Sequence, residues 1–272
     1  MGHNVQLEFA ATTDTGRIRA HNEDSVALNP ELGLAILADG MGGYSAGEVA
    51  SKIATTVVRQ TVEEQLLAPD SDWQTQRPRQ IPQMLCAAVE RANAAILAAA
   101  LDEPQYNGMG TTLVLALFHH DKVALAHVGD SRAYRFRNGL LEQITRDHSL
   151  LQEQIDAGLI SVEWAQFSQN KNLITRAVGV DNMLEAEVHE HLVEPGDIYL
   201  LCSDGLSDML AARQIAEILA MQGTSLTAAA DELVARANEH GGRDNISVIL
   251  VRVQAFNAEK EGLFGRLRNW MK

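Results

Sequence analysis

Five aspartates in this chain stand at the ends of apolar runs. Leu34-Ala35-Ile36-Leu37-Ala38 leads into Asp39-Gly40-Met41-Gly42-Gly43, Leu200-Leu201-Cys202-Ser203 into Asp204-Gly205, and Val123 to Gly129 into Asp130. Asp24 precedes the apolar segment Ser25 to Leu28, and Gly241-Gly242-Arg243-Asp244-Asn245 opens another, Ile246 to Val253. A single Asp-Gly is more often a turn than a ligand. Five such acids suggest one shared acidic site. Carboxylates brought together raise one another's pKa unless cations lie between them. Oxygen-only ligation, with neither cysteine nor clustered histidine, selects magnesium, manganese or calcium over zinc. Two such ions, roughly 3.5–4 Å apart, would bridge a water and stabilise both entering and leaving oxygens in an in-line displacement at phosphorus. The glycines after Asp39 let backbone approach a small ligand. Arg19, in Arg19-Ala20-His21-Asn22-Glu23-Asp24, has the planar fork that binds phosphoryl oxygens. The plainer alternative for an exposed arginine among acids is a solvated ion pair of little weight.

Positioning these acids needs strands. Leu34 to Ala38 has the length and composition of a strand buried on both faces, and Val5 to Ala11 and Ser25 to Leu28 read as strands before it, with a turn at Thr12 to Gly16. From Gly47 the period becomes helical, with Val49, Ile53, Val57, Val58, Val62 and Leu66 on one stripe. Ala68 to Pro82 is polar and proline-bearing, a loop, before a second helix from Gln83 to Ala100. Thr111 to Phe118, Lys122 to Val128, Ala133 to Arg137 and Leu140 to Ile144 follow at spacings expected of antiparallel hairpins. Asp147 to Asn172 breaks the pattern and reads as a small flap. Strands at Leu184 to Val193 and Ile198 to Cys202, helices at Ala211 to Met221 and Leu226 to His240 with a cap at Thr224 or Ser225, and a last strand complete the order. Consecutive strands flanked by helix pairs favour α+β over a doubly wound sheet. The expected form is two mostly antiparallel sheets face to face, helices outside.

A formal charge of −14 over 272 residues argues against a nucleic-acid footprint, which needs a basic surface. Cys86 and Cys202 are too few and too far apart for a disulfide framework or redox motif, which fits a reducing cytoplasm. No apolar run is read as membrane-spanning, and Met1-Gly2-His3-Asn4 begins no signal segment. His119 and His120 in a turn, and His189 and His191 on one strand face, are read as ordinary polar positions. Residues 255–272, with Leu263, Leu267, Trp270 and Met271 among Lys260, Arg266, Arg268 and Lys272, read as an amphipathic basic tail, set apart from a domain over residues 1–254.

Thr13-Asp14-Thr15-Gly16, Arg19 to Asp24, Asp39 to Gly43, Gly110-Thr111-Thr112, His127 to Arg132, Thr145-Arg146-Asp147-His148-Ser149, Cys202 to Asp208 and Gly242-Arg243-Asp244-Asn245 together resemble the ordered motifs of the metal-dependent serine/threonine protein phosphatases of type 2C, in their compact bacterial form. The resemblance implies a four-layer α-β-β-α sandwich with a small flap and a two-metal centre. It implies Asp24, Asp39, Asp204 and Asp244 as carboxylate ligands, Gly40 through its backbone carbonyl, Asp130 toward a third, weaker ion shared with Asp204, and Arg19 as the phosphate-binding arginine. The ions would be Mn2+ or Mg2+, and the partners phosphorylated proteins, including a serine/threonine kinase and its substrates. Met41 stands where many eukaryotic members carry a histidine proposed as the acid for the leaving alcohol, leaving a metal-bound water, His21 or His148 as donors. Ser168-Gln169 stands where relatives often show His-Pro. The expected product is a cytoplasmic, monomeric enzyme. Two rivals are a phosphoprotein-binding regulatory module without turnover and a hydrolase of small phosphates.

Overall fold

The computed structural model describes residues 5–43, 46–68, 80–161, 164, 173–221 and 225–256. Residues of the expected flap after 164, the loop from 69, Thr224 and the tail beyond Phe256 lie outside them. Two antiparallel sheets stack face to face. In the first, the order is β1 (Val5–Asp14), β11 (Ile246–Phe256), β10 (Ile198–Cys202), β7 (Arg132–Arg137) and β8 (Leu140–Gln143). In the second it is β2 (Asp24–Asn29), β3 (Leu34–Met41), β5 (Leu113–His119), β6 (Lys122–Val128) and β9 (Glu187–Leu192), with the two-residue β4 (Gly110–Thr111) on the end of β3.

Alternation along each strand builds three apolar layers. Leu34, Ile36 and Ala38 of β3 face α1 (Ala46–Leu67) and α2 (Gln80–Asp102), while Ala35 and Leu37 face the other sheet. On β10, Leu200 and Cys202 face α5 (Ala212–Leu219) and α6 (Leu226–Glu239), while Tyr199 and Leu201 point inward. Runs without polar alternation are the consequence of burial on both faces. Phe118 and Tyr199 meet edge to face across the sheets, ring centroids 5.3 Å apart, a contact worth about 0.5–1.5 kcal/mol beyond its area.

Several expectations shift. β1 runs on through Asp14 instead of turning at Thr12, because Thr12 and Thr13 pair with Val248 and Ser247. α2 begins at Gln80, with Pro82 in its first turn, where a missing N–H costs no helical bond. By length and composition α2 is apolar enough to cross a membrane, contrary to the reading of the sequence; its Leu85, Ala88, Val89, Ala92 and Ile96 are buried in the core. β9 starts at Glu187 instead of Leu184. Gly129-Asp130-Ser131 is not a hairpin turn: β6 and β7 belong to different sheets, so this segment crosses between them. Ser225 caps α6, its side chain accepting from the Ala228 N–H.

Candidate metal centre

Strand direction brings all five acids to one end of the sandwich. Asp24 opens β2 and lies directly opposite Asp39, near the end of β3. Asp204 follows β10 as the first residue of the short helix α4 (Asp204–Ser207), and Asp244 precedes β11, its neighbour in the sheet. Asp130 sits on the crossing from one sheet to the other. Asp24 and Asp39 therefore come from one sheet, Asp204 and Asp244 from the other, with Asp130 beside them.

Hydroxyls and amides hold this end rigid. The Ser203 hydroxyl donates to Asp24 Oδ2 at 2.9 Å and accepts from the Ser247 N–H at 3.0 Å. The Thr112 hydroxyl accepts from the Asp39 N–H at 3.0 Å and contacts the Ser131 hydroxyl at 2.7 Å. Asn245 donates to the carbonyls of Thr15 and His21, both at 2.9 Å, and accepts from the Glu23 N–H at 2.8 Å. Gly40 has no room for a side chain, since a Cβ there would lie 2.0 Å from the Gly47 carbonyl oxygen.

The acids perturb one another. Burial, followed by the charges of Asp24, Asp204, Asp130 and Asp244, raises Asp39 well above the usual carboxylate range. Burial first, then Asp130, Asp244, Asp208 and Asp24, pushes Asp204 up to about 8. Burial takes Asp24 to about 6 against the bonds from Ser247 and Ser203, and Asp130 to about 6, with Asp147 adding to it. Asp24, Asp39 and Asp204 keep some accessible surface although protein surrounds them on nearly all sides, as groups on the floor of a narrow cleft do. Asp24 Oδ1 is buried without a hydrogen-bond partner. An orphaned carboxylate oxygen among further carboxylates fits a hard divalent cation.

Arg19 pairs with Asp244, Nη2 to Oδ2, at 2.6 Å, and over half of its side chain is exposed. It therefore reaches the rim of the acidic cleft as the sequence suggested, in contact with an acid. Both ring nitrogens of His148 are engaged, Nδ1 by the Gly129 N–H at 3.2 Å and Nε2 by Glu187 at 3.1 Å, so it has no free proton for a leaving group. His21 is exposed. Burial pushes the Cys202 thiol up to about 12, leaving it inert.

Two participants escaped the sequence reading. Asp208 adds its charge to both Asp204 and Asp130; its place one helical turn after Asp204 was the available signal. Glu23, read from the sequence only as one of two acids near Arg19, has its carboxyl raised by burial despite Arg19 and lies beside Gly47. His127, His148 and Glu187 also place ligand atoms within 4.8 Å of one another. His127 Nε2 donates to the Arg146 carbonyl at 2.8 Å and His148 Nε2 to Glu187 at 3.1 Å, while His127 Nδ1 is buried without a partner, so the trio is a largely hydrogen-bonded cluster beside the acids. A cavity of about 340 Å³ lies beside it, lined by Arg146, Arg176, Glu153 and Glu185 among others, and not by the five acids.

The chain matches the family described as Protein phosphatase 2C over residues 17–250. It is 39% identical over 242 residues to the serine/threonine phosphatase stp of Listeria monocytogenes, covering 88% of this chain and 93% of that one. The crystal structure of the Mycobacterium tuberculosis serine/threonine phosphatase PstP/Ppp superposes with a TM-score of 0.82 at 38% identity, over 92% of this chain and 99% of the other. The catalytic domain of PstP in complex with two manganese ions superposes with a TM-score of 0.79 at 38% identity, over the same 92% and 99%.

Proposed function

The chain belongs to the protein phosphatase 2C family, and on that premise we propose which of its residues perform the work of a metal-dependent serine/threonine protein phosphatase. Asp24, Asp39, Asp204 and Asp244, with the Gly40 carbonyl, hold two divalent ions, manganese or magnesium. Asp130 serves a third, weaker position with Asp204. When bound, such ions supply a polarised water as nucleophile and neutralise charge on the phosphoryl group. The protein's own part is to fix the acids. Ser203 and Thr112 aim Asp24 and Asp39 from behind, and Asn245 keeps the Thr15–Glu23 loop closed over them. Arg19 leaves Asp244 to take the phosphoryl oxygens through its fork, an exchange of one exposed anion for another.

The observation that carries this reading is the orphaned Asp24 oxygen inside a set of carboxylates that raise one another's pKa. Such a set is unfavourable by itself and is relieved by cations. The substrates are phosphorylated proteins, and among them we place a serine/threonine kinase and that kinase's own targets. The catalytic unit ends near residue 254, and the chain works as a cytoplasmic monomer.

Release of phosphate from a phosphothreonine peptide, measured with and without Mn2+, tests the assignment. Asp39→Asn and Asp204→Asn each lose metal-dependent turnover by a factor of about 100 or more, as removal of a metal's own ligand exceeds the effect of losing its supports. Full rate in both variants would remove the mechanism. Faster turnover of nucleoside phosphates than of the peptide would move the reading to small phosphates, and peptide binding without turnover in Mn2+ would make it a binding module.

A further inference from the structure

His148 grips the Asp130 loop from behind by a reciprocal pair of bonds. Its backbone N–H donates to the Gly129 carbonyl at 2.9 Å, and the Gly129 N–H donates back to ring Nδ1 at 3.2 Å. A nitrogen that accepts is unprotonated, so the neutral ring carries its proton on Nε2. There Glu187 Oε2 accepts, at 3.1 Å. The ring is buried, stacked on His127 with centroids 4.7 Å apart, and Glu187 receives a second bond from His189 at 3.2 Å. Gly129 cannot shift freely. Its φ is +100° and a Cβ there would lie 2.8 Å from Thr112, whose hydroxyl holds both Ser131 and the Asp39 N–H.

We infer that Glu187 is a positioning residue for Asp130, acting through His148. By accepting the Nε2 proton it keeps Nδ1 free to hold the Gly129 amide, and that bond fixes the backbone from which Asp130 projects. With the proton on Nδ1 instead, two N–H groups would face each other across 3.2 Å and the loop would have to open. Carboxylates that orient metal-ligating histidines work by the same logic, one bond nearer the ion. The clasp also reaches the root of the flap, because the His148 carbonyl accepts from the Thr175 N–H at 2.9 Å and Ser149 caps α3 (Leu150–Asp156). The inference rests on Asp130 being an ion ligand, as proposed above.

Calorimetric titration of Mn2+ into the full chain, with Glu187→Gln and Asp130→Asn in parallel, separates the two. Asp130→Asn loses the weakest ion. Glu187→Gln weakens that same ion by about tenfold, the lower end for a residue supporting a ligand, and leaves the tighter ions, the KM for an aryl phosphate and the Tm as in the parent. Nitrogen-15 spectra of the metal-free chain show His148 as the Nε2–H tautomer and a mixture in Glu187→Gln. If Asp130→Asn loses the ion while Glu187→Gln titrates as the parent and keeps its tautomer, the inference fails and the ligand assignment stands. If Glu187→Gln weakens every ion alike and lowers the Tm, Glu187 is merely structural and the inference fails. If Asp130→Asn itself titrates as the parent, the ligand assignment fails and takes the inference with it.

Discussion

Asp204, pushed up to about 8, and Asp24 and Asp130, at about 6, lie above the usual aspartate value of 3.8 when no cation is bound. The folded chain therefore holds protons that the unfolded chain releases. Stability from these groups is complete below the unfolded value and is lost as pH rises through the folded ones. Calorimetry in a chelator should thus show the Tm falling between about pH 5 and pH 8. Saturating Mn2+ should oppose that fall, adding about 2.7 kcal/mol per site at a hundredfold excess over Kd. A chelated protein whose Tm rises across the window would mean that these acids are not crowded together. Asp204→Asn takes the matter further. Removing this strongly raised carboxyl should increase the Tm of the metal-free chain at pH 8 while abolishing metal-dependent turnover, the trade expected where a site is built at the fold's expense.

Asn245 ties together three segments, the turn after β1, the loop before β2 and the start of β11. Asn245→Ala removes three hydrogen bonds, each worth about 1 kcal/mol net, and should lower the Tm by about 6–12 °C, as 2–4 °C per kcal/mol applies to a domain of this size. It should also weaken Mn2+ binding, since Asp24 and Asp244 flank the freed loop; a variant of parental Tm and affinity would show that the loop holds without its clamp. Element identity was legible because period and composition agreed. Leu34 to Ala38 had the length and composition of a doubly buried strand, and α1 carries an uninterrupted helical stripe. Boundaries were less so. Thr12 and Thr13 look like a turn and are strand because Val248 and Ser247, far along the chain, pair with them. The segment Gly129 to Ser131 looks like a hairpin turn, and only the placement of β7 beside β10 turns it into a crossing. Both depend on long-range partners that spacing does not encode.

At the scale of the molecule, the acids were legible because each stands at or beside one end of an apolar strand, while the groups that aim them were not. Ser203, Thr112, Asn245 and Glu187 are small or ordinary polar residues whose importance arises from partners up to 222 positions away. Net charge was legible from the start, and it has a consequence for substrates. The chain carries −14, and two bound divalent ions bring this only to −14 + 4 = −10. A phosphoryl group is itself anionic, so diffusion of an acidic phosphoprotein toward the cleft is opposed beyond the reach of Arg19. The Debye length is about 8 Å at 0.15 M salt and about 30 Å at 0.01 M, so this opposition is felt mainly at low ionic strength. Two phosphothreonine peptides, one flanked by glutamates and one by lysines, should therefore respond oppositely as salt is raised. Their kcat/KM values should rise for the acidic peptide and fall for the basic one, with kcat little changed, because steering acts on encounter and not on the bound complex. Parallel salt curves for the two peptides would mean that local charges at the cleft, not the field of the whole molecule, govern which phosphoproteins reach it.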